Sequence, residues 1–468
     1  ARHGMVVAQE KLAAEVGAEI LRQGGNAVDA AVATGFALAV TYPRAGNIGG
    51  GGFMVIHSAE RGQDIAVDYR ETAPAAATAT MFLGPDGKPD PAKSRDSALG
   101  IGVPGTVAGL ALALEKFGSG KFTLAEILRP SIALAHDGFV VTGDTADTLT
   151  DMYRRMSRWA GSAKGFSKPD GSPLREGDTL VQTDLALVLA VVAERGPRGF
   201  YEGPVADKLV ATVRNAGGIM TAEDIKSYQA ILRAPVRGTY RGYDIIGPPP
   251  PSSSGVHIVQ MLNILEGYDI AGMGFGSSDA THLLAEALKI AFADRAVATA
   301  DPAFVKVPIE ELTSKSYADG RRAMIDMARA QRWSAGLKRA ESANTTHVTA
   351  ADSFGNVVAT TQTINGLFGA CVQIPGAGMI ANNYMFNFDP HPGLALSIEP
   401  GKRVFTSMAP MMAYRNGRIA YALGLPGGLR IFPSAMQALV NLIDHGMSVQ
   451  EAVEAPRVWT EGGGLELE

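Results

Sequence analysis

The segment Asn344-Thr345-Thr346-His347-Val348-Thr349-Ala350-Ala351 marks the sharpest change of character along this sequence. From Thr346 to Ala351 the residues are largely β-branched or small, which predicts a strand, and residues 357–363 predict a second strand after a turn rich in Asp, Gly and Asn. Upstream, residues 321–343 are polar and rich in Ala, Arg and Lys without a strong apolar face, which indicates a solvated connector. A strand is therefore expected to open directly after a polar connector.

Hydrophobic periodicity divides the rest of the chain into helix-rich and strand-rich parts. Leu12, Val16 and Ile20 recur at spacing four before Gly24-Gly25, which predicts a helix with a glycine stop. Asn26 can cap the next helix, which is apolar nearly all round and is expected to be buried. This capped helix is predicted at 27–40. Further helices are predicted at 107–116, 124–136, 184–194, from 256, 279–298 and 431–445, and further strands at 53–56, 65–69, 372–374, 379–381, 411–414 and 419–423. This pattern predicts an α+β fold in which both ends of the chain contribute to a shared core.

The composition excludes several classes of function. A net charge of −5 over 468 residues offers no basic surface for nucleic acid. The single cysteine, Cys371, and the scattered spacing of the eight histidines predict no disulfide, no metal site and no cofactor. No apolar run reaches the ~20 residues needed to span a bilayer. The glycine run 49–52 follows a helix and precedes a strand, the reverse of a dinucleotide-binding loop, so we expect no phosphate site there.

A threonine at the start of a strand becomes chemically interesting if the peptide bond before it is cut. Its hydroxyl is a poor nucleophile without a base, and a free α-amine, with a pKa of about 7.7–8.0, can be that base. The same hydroxyl can make the cut, by attacking the preceding carbonyl in an N-to-O acyl shift. A Thr-Thr pair at a strand start is nevertheless common, and an ordinary strand edge explains it without any chemistry.

Motifs spread over the whole chain favour the chemical explanation. Together with Asn344-Thr345-Thr346-His347 they resemble, in the same order, those of the γ-glutamyltranspeptidase family. These motifs are Gly24-Gly25-Asn26-Ala27-Val28-Asp29-Ala30-Ala31, the Gly49–Phe53 run, Asp68-Tyr69-Arg70-Glu71-Thr72-Ala73-Pro74, Gly105-Thr106-Val107-Ala108-Gly109, the Pro/Ser turn at 248–255, Asp352 with Gly355-Asn356, and Pro426-Gly427-Gly428.

The resemblance implies a fold and a maturation pathway. The fold is the four-layer αββα sandwich of the N-terminal nucleophile hydrolases. The chain would be a zymogen that cuts itself between Asn344 and Thr345. Residues 1–344 would form the large subunit and residues 345–468 the small one, and this heterodimer would make up one αββα domain.

The resemblance also implies roles for individual residues. Thr345 matches the nucleophile, and Thr363 matches a second threonine whose hydroxyl supports proton transfer. Gly427 and Gly428 match the oxyanion hole, where two adjacent backbone N–H groups can approach a tetrahedral oxyanion closely.

Other matched residues are expected to bind an acyl group that ends in a carboxylate. Arg70 matches the residue that holds this carboxylate, which suits a guanidinium because it can donate two parallel hydrogen bonds. The alternative for Arg70 is a local ion pair with Asp68 or Glu71, although alternation along a strand would turn Arg70 and Glu71 to opposite faces. Asn365 matches a substrate-binding asparagine. Thr406 and Ser407 occupy the place of a serine pair that contacts the carboxylate, with threonine replacing one serine, which keeps a hydroxyl and adds a methyl group.

The segment that recognises the substrate's α-amino group in transpeptidases also departs from the family pattern. Transpeptidases recognise the substrate's α-amino group with a glutamine and an aspartate, where this chain has Tyr384 and Asn387. Loss of a charge-assisted hydrogen bond to the ammonium costs roughly 1.5–3 kcal/mol. The loop from 389 to 402 is also short, which favours an open pocket and hydrolysis over transfer. These changes suit an acyl group without an α-amine, such as the glutaryl group cleaved by cephalosporin-acylase-like members.

Three functional hypotheses follow. The first is hydrolysis or transfer of a γ-glutamyl group from glutathione-like amides, and the second is cephalosporin-acylase-like cleavage of glutaryl-type amides. The third is a non-catalytic binding protein, which the intact catalytic set argues against. A serine nucleophile at 252–254 lacks the required G-x-S-x-G elbow, and Cys371 is better explained as a core residue. The start at Ala1 suits a trimmed product, for which we expect a periplasmic or secreted location, with the cytoplasm as the alternative.

Overall fold

The computed structural model describes residues 3–159, 161–333 and 345–468, with the side chains of residues 297 and 298 excepted. Asn344 and the last part of the predicted connector lie outside the described residues. Thr345 is the first described residue after that gap, and it directly precedes a strand.

Short antiparallel strands occur along the whole described chain. In chain order they are β1 Gly4–Ala8, β2 Gly51–Ser58, β3 Gln63–Tyr69, β4 Phe139–Val140, β5 Thr179–Leu180, β6 Ile231–Arg233, β7 Val236–Tyr240, β8 Tyr243–Gly247, β9 Thr346–Asp352, β10 Val357–Thr363, β11 Met411–Arg415, β12 Arg418–Leu423, β13 Val458–Trp459 and β14 Glu466–Leu467.

Helices occupy much of the sequence between these strands. In chain order they are α1 Lys11–Arg22, α2 Ala27–Thr41, α3 Pro91–Ser94, α4 Thr106–Phe117, α5 Leu124–Asp137, α6 Gly143–Met156, α7 Thr183–Arg195, α8 Arg198–Tyr201, α9 Pro204–Asn215, α10 Ala222–Lys226, α11 Ser254–Leu265, α12 Ile270–Met273, α13 Ser278–Ala298, α14 Ile309–Leu312, α15 Lys315–Arg322, α16 Ile431–Ile443 and α17 Val449–Glu454.

The chain divides into two compact units. The first unit takes its described residues from Ala1–Arg233, Ser342–Pro392 and Ser397–Val404. The second takes its described residues from Ala234–Glu341, Gly393–Leu396 and Phe405–Glu468. Each unit therefore draws on sequence from both sides of the predicted cleavage point.

The first unit contains a six-stranded antiparallel sheet in the order β1-β9-β10-β2-β3-β6. The two strands predicted after the connector, β9 and β10, pair with each other from Val357 opposite Ala351 to Gln362 opposite Thr346. They lie in the interior of the sheet, with β1 beside β9 and β2 beside β10. The strands that follow the connector are thus held on both sides by strands from the start of the chain.

A fully buried helix forms the centre of the first unit's core. Every residue of α2 is buried, as its continuous apolar sequence predicts. Asn26 caps it, with its side-chain oxygen accepting from two backbone N–H groups, while Asp29 accepts from the backbone of Asn26. This reciprocal capping box satisfies N–H groups that the helix start would otherwise leave buried and unpaired.

The second unit has its own sheet and core. Its four-stranded antiparallel sheet runs in the order β12-β11-β8-β7. The core is built from the apolar faces of α11, α13 and α16, including Val256, Leu288 and Phe432, together with sheet residues such as Met411. No helix in the described ranges is long and apolar enough to cross a membrane.

The predicted mixture of helices and strands is confirmed, with two local corrections. The strands predicted at 372–374 and 379–381 are wrong, because the two runs share only one isolated bridge, between Gln373 and Ile380. Positive φ angles at Cys371, Gly376 and Gly378 bend the chain too sharply for a ladder to extend. The strands β6, β7 and β8 were not predicted, since exposed charged and polar residues interrupt their apolar pattern.

Candidate active site

The predicted nucleophile lies at the end of the six-stranded sheet. Thr345 directly precedes β9 and is only 4% exposed. Thr346 pairs with Gln362, so extending the antiparallel register by one residue sets Thr345 beside Thr363. Thr363 in turn pairs with Gly51 of β2. The sheet register therefore makes the two matched threonines neighbours across adjacent strands.

The glycine run before β2 serves this strand end. A side chain at Gly50 would place its first carbon 2.0 Å from the carbonyl oxygen of Thr363, a contact no Cβ atom can make. A side chain at Gly49 would likewise place its first carbon 2.0 Å from the carbonyl oxygen of Ile380. The glycines therefore allow the backbone of this loop to pack closely against the backbone of Thr363.

A short network joins three of the predicted residues. The Thr363 hydroxyl accepts from the backbone N–H of Asn365 at 2.9 Å. Asn365 has a φ of 74°, a conformation that asparagine tolerates better than most residues. Its side-chain Nδ2 donates to the backbone oxygen of Asn383 and to Oδ1 of Asn387, both at 3.2 Å. Thr363, Asn365 and Asn387 are thus brought together.

The two residues that depart from the family pattern lie on one short element. Tyr384–Asn387 forms a single turn of 3-10 helix, and both Tyr384 and Asn387 are buried. Asn382 fixes the start of this turn, because its Oδ1 accepts from the backbone of Tyr384 and of Gly102. Its Nδ2 donates to the carbonyls of Gly49 and Gly102, so all of its amide groups are used.

Arg70 is completely buried and has several partners. Its Nε donates to the Val404 carbonyl at 3.2 Å, and its Nη1 lies 2.7 Å from Oε2 of Glu71. The Tyr384 ring stacks on the guanidinium, with 3.7 Å from the ring centre to Cζ. Among the described residues, no acceptor meets hydrogen-bond geometry at Nη1 or Nη2. Nη1 is thus shared with Glu71, whereas the donors of Nη2 meet no described acceptor.

The expectation that Arg70 and Glu71 point apart is wrong. Strand β3 ends at Tyr69, so the alternation that would separate two successive strand residues no longer applies at Arg70. Asp68, the other proposed partner, instead receives the side chains of Arg233 at 2.7 Å and Arg403 at 3.4 Å. The local ion pair with Glu71 is therefore present, and it coexists with the open donors of Arg70.

Burial and pairing act in opposite directions on this ion pair. Burial raises the pKa of Glu71 to about 7, although the neighbouring Arg70 partly offsets this. For Arg70 burial is the largest single influence and disfavours the charge, but Glu71 and the other neighbouring groups together outweigh it, so the pKa of Arg70 rises above its usual value. Glu71 was missed as a functional candidate, although it lies inside one of the motifs that carry the family resemblance.

The second unit holds the remaining predicted residues. Thr406 and Ser407 are both buried. Gly427 and Gly428 have φ angles of 140° and 57°, and they lie at the start of a short 3-10 turn that leads into α16. Both angles are in the range that favours glycine, so the residue type at each position is set by the backbone.

The described ranges hold no group of three or more His, Cys, Asp or Glu residues arranged to bind a metal ion. His347, two residues after Thr345, has both ring nitrogens within hydrogen-bond distance of threonine hydroxyls, Thr361 at 2.9 Å and Thr349 at 3.0 Å. Burial lowers its pKa to about 3, so its ring is neutral at physiological pH.

The amino-acid sequence is also similar to those of known proteins. The family profile described as Gamma-glutamyltranspeptidase matches residues 13–468. The chain belongs to the gamma-glutamyltranspeptidase family. It is 60% identical to the Acylase ACY 1 proenzyme of Pseudomonas sp. (strain SE83), covering 99% of this chain and 84% of that protein. It is 45% identical to the Glutathione hydrolase proenzyme of Escherichia coli (strain K12), covering 98% and 81%.

A solved structure supports the same family at the level of the fold. The cephalosporin acylase from Bacillus halodurans superposes with a TM-score of 0.89 at 29% identity, covering 100% of this chain and 85% of that chain. This member of the gamma-glutamyltranspeptidase family therefore has the predicted N-terminal nucleophile hydrolase fold and is a hydrolase of that type.

Proposed function

We propose that this enzyme matures by cutting its own Asn344–Thr345 bond and then uses Thr345 as its nucleophile. Support comes from the position of Thr345, buried at the start of β9 and next to Thr363 in the sheet register. The names of the relatives agree, since both the acylase and the glutathione hydrolase are proenzymes. In this proposal residues 1–344 and 345–468 are the two subunits of a heterodimer.

The proposed chemistry follows from the new chain terminus. The freed α-amine takes the proton of the Thr345 hydroxyl, which attacks the amide carbonyl of the substrate. Backbone N–H groups of Gly427 and Gly428 stabilise the oxyanion, and loss of one such donor typically costs ~10²–10³ in rate. Collapse expels the amine and leaves an ester on Thr345, which water hydrolyses. Thr363, held by the backbone of Asn365, supports the proton transfer.

The acyl group is proposed to end in a carboxylate that Arg70 binds. The donors at Nη2, which meet no described acceptor, support this role, because a buried guanidinium with unsatisfied donors gains most from a carboxylate. Since Arg70 is fully buried, a carboxylate reaches it only when the groups covering it move. Thr406 and Ser407 are proposed to contact the same carboxylate through their hydroxyls.

The favoured substrate class is a glutaryl-type amide without an α-amino group. The observation that carries this preference is the bond from Asn365 Nδ2 to Asn387 Oδ1. It engages the carbonyl of Asn387 with an amide donor inside the protein, whereas a substrate ammonium is bound more strongly by a charged acceptor than by a neutral amide. Tyr384 adds a ring stacked on Arg70 where relatives of the transpeptidase type have glutamine. The 60% identical relative is named an acylase, which is compatible with this assignment.

A γ-glutamyl amide such as glutathione is the second candidate. The 45% identical glutathione hydrolase favours it, and Arg70 suits the carboxylate of either acyl group. Hydrolysis is proposed to exceed transfer to amine acceptors, because the loop from 389 to 402 is short. A periplasmic or secreted location stays a prediction, which cell fractionation tests directly.

Self-cleavage is tested by removing the nucleophile. Thr345→Ala lacks the hydroxyl that attacks the Asn344 carbonyl, so we expect an uncut chain of 48.9 kDa on a denaturing gel. Thr346→Ala is the matched control, because no hydrogen-bond partner for its hydroxyl occurs among the described residues. This control is expected to process normally, and a Thr345→Ala chain that still splits at the same bond contradicts the mechanism.

Substrate class is tested by comparing matched anilides. We expect a higher kcat/KM for the glutaryl anilide than for the γ-glutamyl anilide. Asn387→Asp restores a charged acceptor and is expected to shift the ratio toward γ-glutamyl by about one to two decades. Asn416→Asp, in an exposed turn, adds the same charge elsewhere and is expected to leave the ratio unchanged. A ratio unmoved by Asn387→Asp rules out the role assigned to this position.

A further inference from the structure

Side chains bind the backbone of Arg70, which lies just beyond the end of β3. The Arg70 N–H donates to Oδ1 of Asp68 at 3.0 Å. The Arg70 carbonyl accepts from the Tyr228 hydroxyl at 2.8 Å and from Nη1 of Arg403 at 3.2 Å. All of these residues belong to the first unit. Three side chains thus fix the point of the backbone from which the Arg70 side chain starts.

The ring of Tyr228 is itself held in place. Tyr228 is buried, and its ring stacks on that of Tyr201, with ring centres 5.7 Å apart and an angle of 10° between the planes. The Arg403 guanidinium lies 5.5 Å from the centre of the Tyr228 ring, and its Nη1 donates to the hydroxyl oxygen at 3.4 Å. Because the ring is fixed by these contacts, its hydroxyl meets the Arg70 carbonyl from a defined direction.

Gly105, which belongs to a motif without a role in the proposed chemistry, makes room for this contact. A side chain at Gly105 would place its first carbon 2.1 Å from the Tyr228 hydroxyl oxygen and 2.2 Å from the carbonyl oxygen of Tyr69. The φ angle of Gly105 is −117°, which any residue can adopt, so the position requires glycine for space alone. The absence of a side chain at Gly105 therefore lets the Tyr228 hydroxyl reach the end of β3.

We propose that Tyr228 is a positioning residue that sets where the Arg70 guanidinium meets the carboxylate of the acyl group. This inference rests on the proposed function of Arg70. The guanidinium end of the side chain is oriented by the Tyr384 ring at 3.7 Å and by the Val404 carbonyl at 3.2 Å. Tyr228 holds the backbone end of the same side chain. Paired hydrogen bonds from a guanidinium to a carboxylate depend on direction, so a displaced backbone weakens them.

The test compares two anilides on the processed enzyme, glutaryl with a terminal carboxylate and pentanoyl without one. Tyr228→Phe keeps the stacked ring and removes only the hydroxyl. We expect it to lower kcat/KM for the glutaryl anilide about fivefold, mainly through KM, which is the size expected for the loss of one hydrogen bond. For the pentanoyl anilide we expect a change of less than about twofold, because no carboxylate has to be aligned.

Tyr201→Phe is the matched control. Tyr201 is a buried tyrosine of the same ring stack, and its hydroxyl also donates to a backbone carbonyl, that of Pro104 at 3.0 Å. Its hydroxyl oxygen accepts from the backbone N–H of Ala108 at 3.2 Å. These bonds hold the start of α4 and not Arg70, so Tyr201→Phe is expected to preserve the preference for glutaryl over pentanoyl.

A double variant tests whether Tyr228 acts through Arg70. Arg70→Gln removes the guanidinium and is expected to abolish the preference for glutaryl over pentanoyl. In this background Tyr228→Phe is expected to cause no further loss of preference, because two residues that act through one interaction are not additive.

The possible results separate this inference from the proposed function. Equal losses on both anilides, an unchanged KM for glutaryl, a further loss in the double variant, or failure of Tyr228→Phe to mature would each overturn the positioning role of Tyr228. A wild-type enzyme without a preference for glutaryl, or an Arg70→Gln enzyme that keeps the preference, would instead refute carboxylate recognition by Arg70, and with it the proposed function.

Discussion

At the scale of single residues, the proposed role of Arg70 predicts that its pair with Glu71 couples substrate recognition to pH. Glu71 is fully buried, and burial raises its pKa to about 7 while Arg70 partly offsets the rise. Below that pH Glu71 is mostly neutral and does not compete for the guanidinium. Above it the Glu71 carboxylate is ionised and competes with a substrate carboxylate for Arg70.

We therefore expect KM for a glutaryl anilide to rise as pH increases through about 7, separately from the increase in kcat as the α-amine of Thr345 loses its proton, with a pKa of about 7.7–8.0. Glu71→Gln removes the titrating group and should flatten the KM profile between about pH 6 and 8. A pentanoyl anilide, which lacks the terminal carboxylate, serves as the control, because its KM should not depend on the ionisation of Glu71. A profile that Glu71→Gln leaves intact would assign the titration to another group.

At the scale of elements, local sequence signals predicted α2, β9 and β10 well. The cap at Asn26, the continuous apolar run of α2 and the turn between β9 and β10 are all short-range features, so the sequence contains what they need. By contrast β6 to β8 were missed, because their exposed faces carry charged and polar residues and only pairing partners distant in sequence stabilise them.

The site shows the same division between local and long-range information. Thr345 and Thr363 were predicted through motifs, and the pairing of β9 with β10 accounts for their proximity. Strand alternation wrongly predicts that Arg70 and Glu71 point apart, because β3 ends at Tyr69, before both residues. The bond from Tyr228 to Arg70 joins two residues that are 158 positions apart, and no pattern in either segment signals it.

At the scale of the whole molecule, the two compact units do not coincide with the two predicted subunits. The first unit combines strands β1 and β2 with β9 and β10, and the second combines β8 with β11. A cut between residues 344 and 345 therefore leaves each unit dependent on both pieces for its sheet and its core.

We expect the cut enzyme to elute as one species in gel filtration under native conditions, at the volume of the uncut Thr345→Ala chain. The ladders that join β9 to β1 and β10 to β2 remain after the cut, and buried hydrogen bonds and apolar contacts hold them together. The two pieces should separate only in denaturant. Release of the piece that begins at Thr345 under native conditions would show that the sheet does not retain it.

The turn Tyr384–Asn387 has a consequence for how enzymes of this family diversify. The two positions at which this chain departs from the transpeptidase pattern for the α-amino group lie within that turn, and Asn382 anchors its start through bonds that involve neither of their side chains. On the proposed assignment, a change of acyl preference needs only neighbouring codons and leaves the nucleophile, the glycines and the maturation step untouched. Laboratory evolution for a new acyl group can therefore begin with a small library restricted to this turn, screened in a catalyst that already folds and processes itself.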